Sequence, residues 1–279
     1  MVELTRFGVW TSYRVIGEEN AAEAAQLAEG LGFGTFWLGG SPKLPALRPL
    51  LESTERLIVA TGIVNVWQYE PDELVADYAT LEEEFPGRML VGIGIGHPEA
   101  TSEYRTPLTK MREFLDGIDA TDQPIPPQRR CVAALGPKML DLSGARSLGT
   151  HPYFTSVQHT RFARERLGPG KLVAPELACV VDTDPERARE AARRYAALYL
   201  NLRNYTSNLL RFGFNDEDIT DGGSDRLIDA VVPQGSAEAI APVVQAHLEA
   251  GADHVCVQAV GVRGVPREEW TALAGALIG

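Results

Sequence analysis

The chain is poor in the residues that mark several large classes of protein. Only three cysteines occur in 279 residues, Cys131, Cys179 and Cys256, each inside an apolar run and with no metal-ligand spacing between them. A disulfide framework and a cysteine-built metal site are therefore not expected, and buried free thiols are. Lys and Arg number 26 against 38 Asp and Glu, a net charge of −12, and the basic residues form no stripe. Nucleic acid and anionic membrane surfaces are accordingly not expected as partners. No apolar run reaches the ~18 residues of a membrane-spanning helix. The start, M-V-E-L-T-R-F-G-V-W, has no charged-then-apolar-then-small signal pattern, so a cytoplasmic protein is expected.

What the chain does have is a rhythm of short β-branched runs alternating with helical patterns. The clearest unit lies between Leu57 and Glu99: L-I-V-A-T-G-I-V-N-V-W, then a helix that begins at Pro71 and stops before Pro86-Gly87, then M-L-V-G-I-G-I-G-H-P-E. A strand, a crossover helix and a parallel strand fit that order. Neither strand alternates apolar with polar residues, as expected when both faces are buried. Both carry glycines and a polar residue at their C-terminal ends, where α/β proteins put their ligand sites.

The same beat recurs along the chain. Strands are expected at 7–13, 33–38, 130–135, 151–155, 172–181 and 254–260, with helices at 19–31, 44–53, 107–118, 138–148, 236–250 and 266–278. Another helix starts at Thr155 or Ser156 as N-cap. Asp184, Pro185 and Glu186 give a strong start signal for the next, which runs to about Leu200. The rhythm then breaks from Asn201 to Gly235, a stretch rich in Asn, Asp, Gly and aromatics. An irregular segment this long in a compact domain is usually a lid or rim. Eight strand–helix repeats in 279 residues favour a single-domain (β/α)8 TIM barrel over an open doubly wound sheet, with 201–235 as an insertion between strands seven and eight.

Several motifs invite a functional reading, each beside a plainer one. Gly92 to Gly96 follows a strand but lacks the G-x-G-x-x-G spacing, and His97-Pro98 comes next instead of a helix. Its glycines are better read as allowing a flat ligand or a neighbouring strand to come close. Gly136-Pro137-Lys138 either presents helix N-terminal amides to an anion or is an ordinary turn. Gly62 interrupts a stiff run and suggests a bulge, which puts Asn65 near the barrel mouth, on a ligand or on buried backbone groups. His97, at a strand's C-terminal end, is the histidine best placed to exchange a proton with a bound ring. His159 and His247 fall in helices, and His151 and His254 open strands, the wrong end of a barrel for chemistry. Glu176, inside an apolar strand, must be hydrogen-bonded or protonated if it points inward. A structural network is the plainer use of it, and Gln258 raises the same question.

Five passages together resemble the bacterial luciferase-like flavin and deazaflavin oxidoreductases: A-T-G-I-V-N-V-W, the helix ending F-P-G-R, L-V-G-I-G-I-G-H, A-A-L-G-P-K-M-L, and N-Y-T-S-N-L-L-R-F-G-F with G-S-D-R-L-I-D-A. The last two are similar to an actinobacterial subgroup dependent on coenzyme F-420 (F420, a deazaflavin). The resemblance covers the whole chain and implies a (β/α)8 barrel, often a homodimer. It also implies a cofactor ring lying over a bulge at the end of strand three, with a non-proline cis peptide mapping to Gly62-Ile63. By the same mapping Asn65, Gly94, Ile95, Gly96 and His97 approach the ring or its side chain, and Ala134, Leu135, Gly136 and Pro137 the ribityl or phosphate part. One departure stands out. Relatives commonly end strand two with a carboxylate or other polar group, often Asp or His, where this chain has Gly39-Gly40.

The function implied is hydride exchange between F420 and a small organic substrate, with His97 as the catalytic proton donor or acceptor. Trp10, Trp67 and Tyr153 would line an apolar substrate pocket, or serve as aromatic core packing, with 201–235 covering it. An FMN-dependent monooxygenase is the alternative on the same scaffold. A non-catalytic flavin- or deazaflavin-binding protein is a third reading, prompted by Gly39-Gly40. No metal is expected.

Overall fold

The computed structural model describes residues 4–96 and 106–279; His97 lies outside them. Eight parallel strand positions alternate with helices: β1 (Phe7–Thr11), α1 (Ala21–Gly30), β2 (Thr35–Gly39), α2 (Arg48–Glu52), β3 (Ile58–Gly62, continued by Val64–Asn65), α3 (Pro71–Glu84) and β4 (Met89–Gly94). There follow α4 (Pro107–Asp119), β5 (Arg130–Val132), α5 (Pro137–Arg146), β6 (Gly149–Thr150), α6 (Val157–Leu167) and β7, in two pieces, Leu172–Val173 and Glu176–Val181. The chain ends with α7 (Pro185–Ala196), α8 (Arg203–Arg211), α9 (Asp216–Ile219), α10 (Asp225–Val231), α11 (Ala237–Glu249), β8 (Val255–Ala259) and α12 (Arg267–Leu277).

The two pieces of β7 close the barrel. The first pairs with β6, Gly149 opposite Leu172, and the second with β8, Cys256 opposite Glu176. Between them the backbone bonds to both sides: Ala174 N–H donates to Thr150 (2.9 Å), while Val173 C=O accepts from Asp253 N–H (2.9 Å). Because β8 also pairs with β1, and β1 to β6 pair in sequence, the sheet returns on itself. This is the expected (β/α)8 barrel.

Two sequence expectations are corrected. Strand six is Gly149–Thr150, not 151–155. Phe154 sits at φ 53°, a left-handed conformation that breaks an extended run. The stretch after Leu200 is not irregular, because it holds α8, α9 and α10. Their start signals are local: Asn215 and Asp218 make a reciprocal capping box, and the Ser224 hydroxyl accepts from Leu227 N–H. The expected start of α7 is present, with the Asp184 carboxylate accepting from Glu186 and Arg187 N–H at 3.1 and 3.0 Å.

The barrel lumen is filled by few, large groups. Trp37 is fully buried, stacked on His151 at 4.0 Å, and donates its indole N–H to His254 Nε2 at 3.1 Å. Small and medium residues, Ala60, Leu90, Cys131, Ala174 and Cys256, share that cluster. The three cysteines are free and buried. Outside the barrel the helices pack on a second, larger core, in which Trp270 meets Phe36 edge-on at 6.0 Å. No helix among the described residues is long and apolar enough to cross a membrane.

At the base of β5 the buried Arg130 donates to Asp119 (2.6 Å) and to the Arg146 carbonyl (3.0 Å), and Arg146 reaches the other Asp119 oxygen (2.7 Å). Burial works against ionisation of Asp119, but the hydrogen bonds from Arg130 and Arg146 outweigh it and hold the carboxyl below its usual range. Removing this partner strands a guanidinium that is 1% exposed, while the carboxylate is 40% exposed and partly screened. Asp119→Ala is therefore expected to cost about 2 kcal/mol in a urea-unfolding experiment; a loss below a few tenths would show that water compensates Arg130 fully.

Candidate active site

A cavity of about 870 Å³ opens at the C-terminal ends of the strands. Its floor is an indole. Trp10, from β1, lies across the ends of β2 and β3, and two glycines make room for it. A Cβ on Gly39 would fall 2.1 Å from Trp10 Cζ2, and one on Gly62 would fall 2.4 Å from Trp10 Nε1, far inside van der Waals contact. Gly39 is thus the seat of an aromatic ring from the neighbouring strand, which accounts for the absence of a polar side chain there.

Beside that floor stands His151. Since β6 ends at Thr150, His151 follows the strand instead of opening it, and it lines the cavity. The expectation that His151 falls at the wrong end of the barrel is overturned by this two-residue shift. Its Nδ1–H donates to the Ala174 carbonyl at 2.7 Å, so Nε2 carries the lone pair. Burial, opposed by that hydrogen bond, pushes the imidazole down to about 3. His151 Nε2 and Trp10 Nε1 are both buried and have no hydrogen-bond partner among the described residues.

The wall beside β3 and β4 is backbone-rich. The Gly62–Ile63 peptide is cis. The Ile63 side chain folds over Gly94, where a Cβ would meet it at 2.5 Å. Asn65 Oδ1 accepts from Trp67 N–H (3.0 Å), and the Trp67 indole donates to the Ile95 carbonyl (2.9 Å). Across the cavity Ala134, Leu135 and Gly136 run into α5, and the Leu135 carbonyl accepts from His159 Nε2 at 3.1 Å. Of the residues singled out from sequence, Trp10, Gly62, Ile63, Asn65, Gly94, Ile95, Gly96, Ala134, Leu135, Gly136 and Tyr153 line this one cavity. Trp67 and Pro137 are outside the lining: the first braces Ile95, with Lys110 Nζ 5.3 Å from its ring centroid, and the second begins α5.

The remaining wall is phenolic. Tyr153 OH meets Tyr195 OH (2.7 Å), Tyr199 OH (2.9 Å) and Gln258 Oε1 (2.9 Å). Gln258 Oε1 is the terminal acceptor of this network, since a carbonyl oxygen has no proton to pass on. Burial, with neighbouring phenols and Glu176 adding to it, raises Tyr153 and Tyr195 well above the ordinary range, so the hydroxyls stay protonated. Glu176 itself is buried, accepts from Phe154 N–H (3.2 Å) and is pushed up to about 8 by burial. It fastens the turn that carries Tyr153 and does not line the cavity. Leu202, Asn204 and Tyr205, at and before the start of α8, complete the lining. Sequence reasoning missed Tyr195, Tyr199 and Tyr205; their spacing, Y-A-A-L-Y then Y after six residues, was the available signal. Among the described lining residues only Arg14 carries a charge.

Comparison with known proteins gives consistent matches. The profile described as luciferase-like monooxygenase matches residues 1–254. An F420-dependent glucose-6-phosphate dehydrogenase of Microbacterium testaceum is 32% identical over a segment covering 35% of this chain and 32% of that protein. One of the same name from Kribbella flavida is 24% identical across 92% of each chain. Among solved structures, an F420-dependent secondary alcohol dehydrogenase in complex with an F420–acetone adduct superposes with a TM-score of 0.76 at 16% identity, covering 99% of this chain and 98% of that one.

Two outcomes follow from this geometry. Gly39→Ala is expected to displace the Trp10 indole, changing the near-ultraviolet circular dichroism and costing about 1–3 kcal/mol through overpacking; an unchanged spectrum would mean that the ring is not held there. Burial also pushes His151 to about 3 and His159, His247 and His254 to about 4, each from 6.5. Between pH 6.5 and 4 the unfolded chain binds up to four more protons than the native one, so stability falls as pH falls through that window. Glu176 acts in the opposite sense, its stabilisation lost as pH rises toward 8, but as one group against four. Urea midpoints measured from pH 7 to 4.5 should decline steadily; a flat profile contradicts burial of neutral imidazoles.

Proposed function

The chain belongs to the luciferase-like monooxygenase family and is an oxidoreductase of that class, and on that premise we propose that it exchanges a hydride between F420 and a small neutral organic substrate. The observation that carries the reading is the cavity itself. It lies at the C-terminal mouth of the barrel, has a glycine-rich wall and a deep floor, and has one charged side chain, Arg14, among its described lining residues. The full-length likeness to the Kribbella flavida protein, named for F420 dependence, supports the cofactor.

The residues present fit such a group. Gly136 faces open space where a Cβ would stand, and the stretches 62–65 and 94–96 line the cavity, with the Ile63 side chain packed over Gly94 and Asn65 over Gly96. Gly62, Ile63, Asn65, Gly94, Ile95 and Gly96 would hold the ring; Ala134, Leu135 and Gly136 would hold its side chain. When bound, F420 supplies a two-electron hydride acceptor or donor. The protein's share is then to orient the substrate against one ring face, exclude water, and keep neutral hydrogen-bonding groups in place. The phenols of Tyr153, Tyr195 and Tyr199 are such groups, protonated, the first two donating to Gln258 and the third bonded to Tyr153.

The substrate named for the dehydrogenase relatives is not carried over. A phosphomonoester brings about two negative charges and calls for a cluster of Arg or Lys, whereas one guanidinium at the described lining suits a neutral compound. The test is to titrate the purified protein with F420 and, separately, with FMN, and then to look for hydride exchange with a panel of neutral and phosphorylated alcohols. F420 binding with turnover on neutral members is expected. Binding of FMN alone would favour the monooxygenase alternative, and tight F420 binding without any exchange would favour a non-catalytic carrier.

A further inference from the structure

We propose that the side-chain amide of Gln258 receives the substrate's oxygen, donating from Nε2 to a neutral aldehyde or ketone, with the phenols of Tyr153, Tyr195 and Tyr199 setting its orientation. The inference rests on the hydride-exchange reading above and names the substrate class and its anchor at that same site.

Gln258 lies on β8, two residues after Cys256, which packs in the lumen. The two-residue period of a strand turns Gln258 inward as well, one layer nearer the C-terminal mouth. It is 7% exposed and lines the cavity. Its Oε1 is occupied, at 2.9 Å from Tyr153 OH and 3.2 Å from Tyr195 OH. Its Nε2 has no hydrogen-bond partner among the described residues. Nor is Nε2 one of the buried unpartnered atoms, a set that includes Trp10 Nε1 and His151 Nε2, so it is open to the cavity that the residue lines.

Counting protons fixes the direction of the network. Each phenol has one proton, and burial keeps all three protonated. Tyr153 gives its proton to Gln258 Oε1, so Tyr199 is the donor in their 2.9 Å contact. Tyr195 directs its proton to Tyr153 OH at 2.7 Å and to Gln258 Oε1 at 3.2 Å. All three protons are thereby placed. With the amide reversed, three protons would share two phenol–phenol contacts and one would have no acceptor in the network. The phenols therefore have no proton left for a ligand, and the amide N–H bonds are the donor end. Hydrogen bonds accepted at Oε1 polarise the amide and strengthen what Nε2 can donate.

A carbonyl oxygen accepts at Nε2 and needs to donate nothing in return. The alcohol related to it by hydride exchange can accept at the same place through its own lone pair. An ammonium has no lone pair to offer. A carboxylate would be desolvated beside neutral phenols, with no cation bonded to the network to offset the cost. Leu202, Val260 and Val262, on the same lining, give the hydrocarbon part apolar contact. Gln258 acts here as a binding and specificity residue; no proton transfer is assigned to it.

The experiment follows the Gln258 side-chain amide protons in proton–nitrogen correlation spectra of wild-type protein, assigned by their absence in Gln258→Leu. Cyclohexanone and methylenecyclohexane, alike in shape but for the oxygen, are the probes, each added to protein with and without F420. Cyclohexanone should move one amide proton downfield and saturably, and methylenecyclohexane should not. In Gln258→Leu the ratio of cyclohexanone to methylenecyclohexane affinity should fall about three- to tenfold, the worth of one neutral hydrogen bond. Equal amide shifts with the two probes, or none with the ketone, overturn the proposal on wild-type protein alone, whether or not the variant folds. An unchanged affinity ratio in a folded variant overturns it too. So does a shift produced by F420 itself that abolishes the response to the ketone, which would assign the amide to the cofactor. If wild-type protein responds to cyclohexanone but does not bind F420, the hydride-exchange reading fails and the carbonyl site stands.

Discussion

The structure depends on how two indoles fill one barrel. Trp37 occupies the lumen, held between the His151 ring and the His254 nitrogen, and the strands around it present alanines, cysteines and leucines in place of larger side chains. Trp10 lies above it, across the ends of two neighbouring strands, and its position requires Gly39 and Gly62. Interiors pack as densely as organic crystals, so these choices are linked. A larger residue at either glycine collides with the indole, and a smaller one at Trp10 leaves the cavity without its floor.

Electrostatically, this interior works with neutral dipoles. Three of its buried histidines have their tautomers set by backbone carbonyls, those of Thr5, Ala174 and Leu135. The phenols are held protonated, and Glu176 is pushed up into the neutral range where its carboxyl keeps its proton. One buried charge, Arg130, is paired with Asp119, which with Arg146 ties α4, β5 and α5 together.

Much of the fold was legible because its signals are local. The strand–helix alternation, the Pro starts of α3 and α4, the Asp184 cap and the interruption at Gly62 all depend on residues within a few positions of one another. Strand six was misplaced because its ladder has only two residues, Gly149–Thr150, while the more strand-like H-P-Y-F-T that follows turns at Phe154. That shift of two positions concealed His151. The role of Gly39 was hidden for a different reason: it depends on Trp10, far away in sequence, and the glycine looked like a missing polar group until the indole was seen above it. The helices within 201–235 are short, and their caps at Asn215 and Ser224 were readable but lay in a composition that resembles a loop.

The cavity has a divided construction. One side is the barrel itself, where glycines, strand ends and a buried indole are mutually constrained. The other side comes from α7, the turn after it and the start of α8, whose residues Tyr195, Tyr199, Leu202 and Tyr205 pack in a separate cluster with Phe154. Tyr153 joins the two sides, bonded to Tyr195 and Tyr199 and packed on Trp10. The two sides of one cavity are thus built by different means, strand ends and glycines on one and a helical layer of phenols on the other.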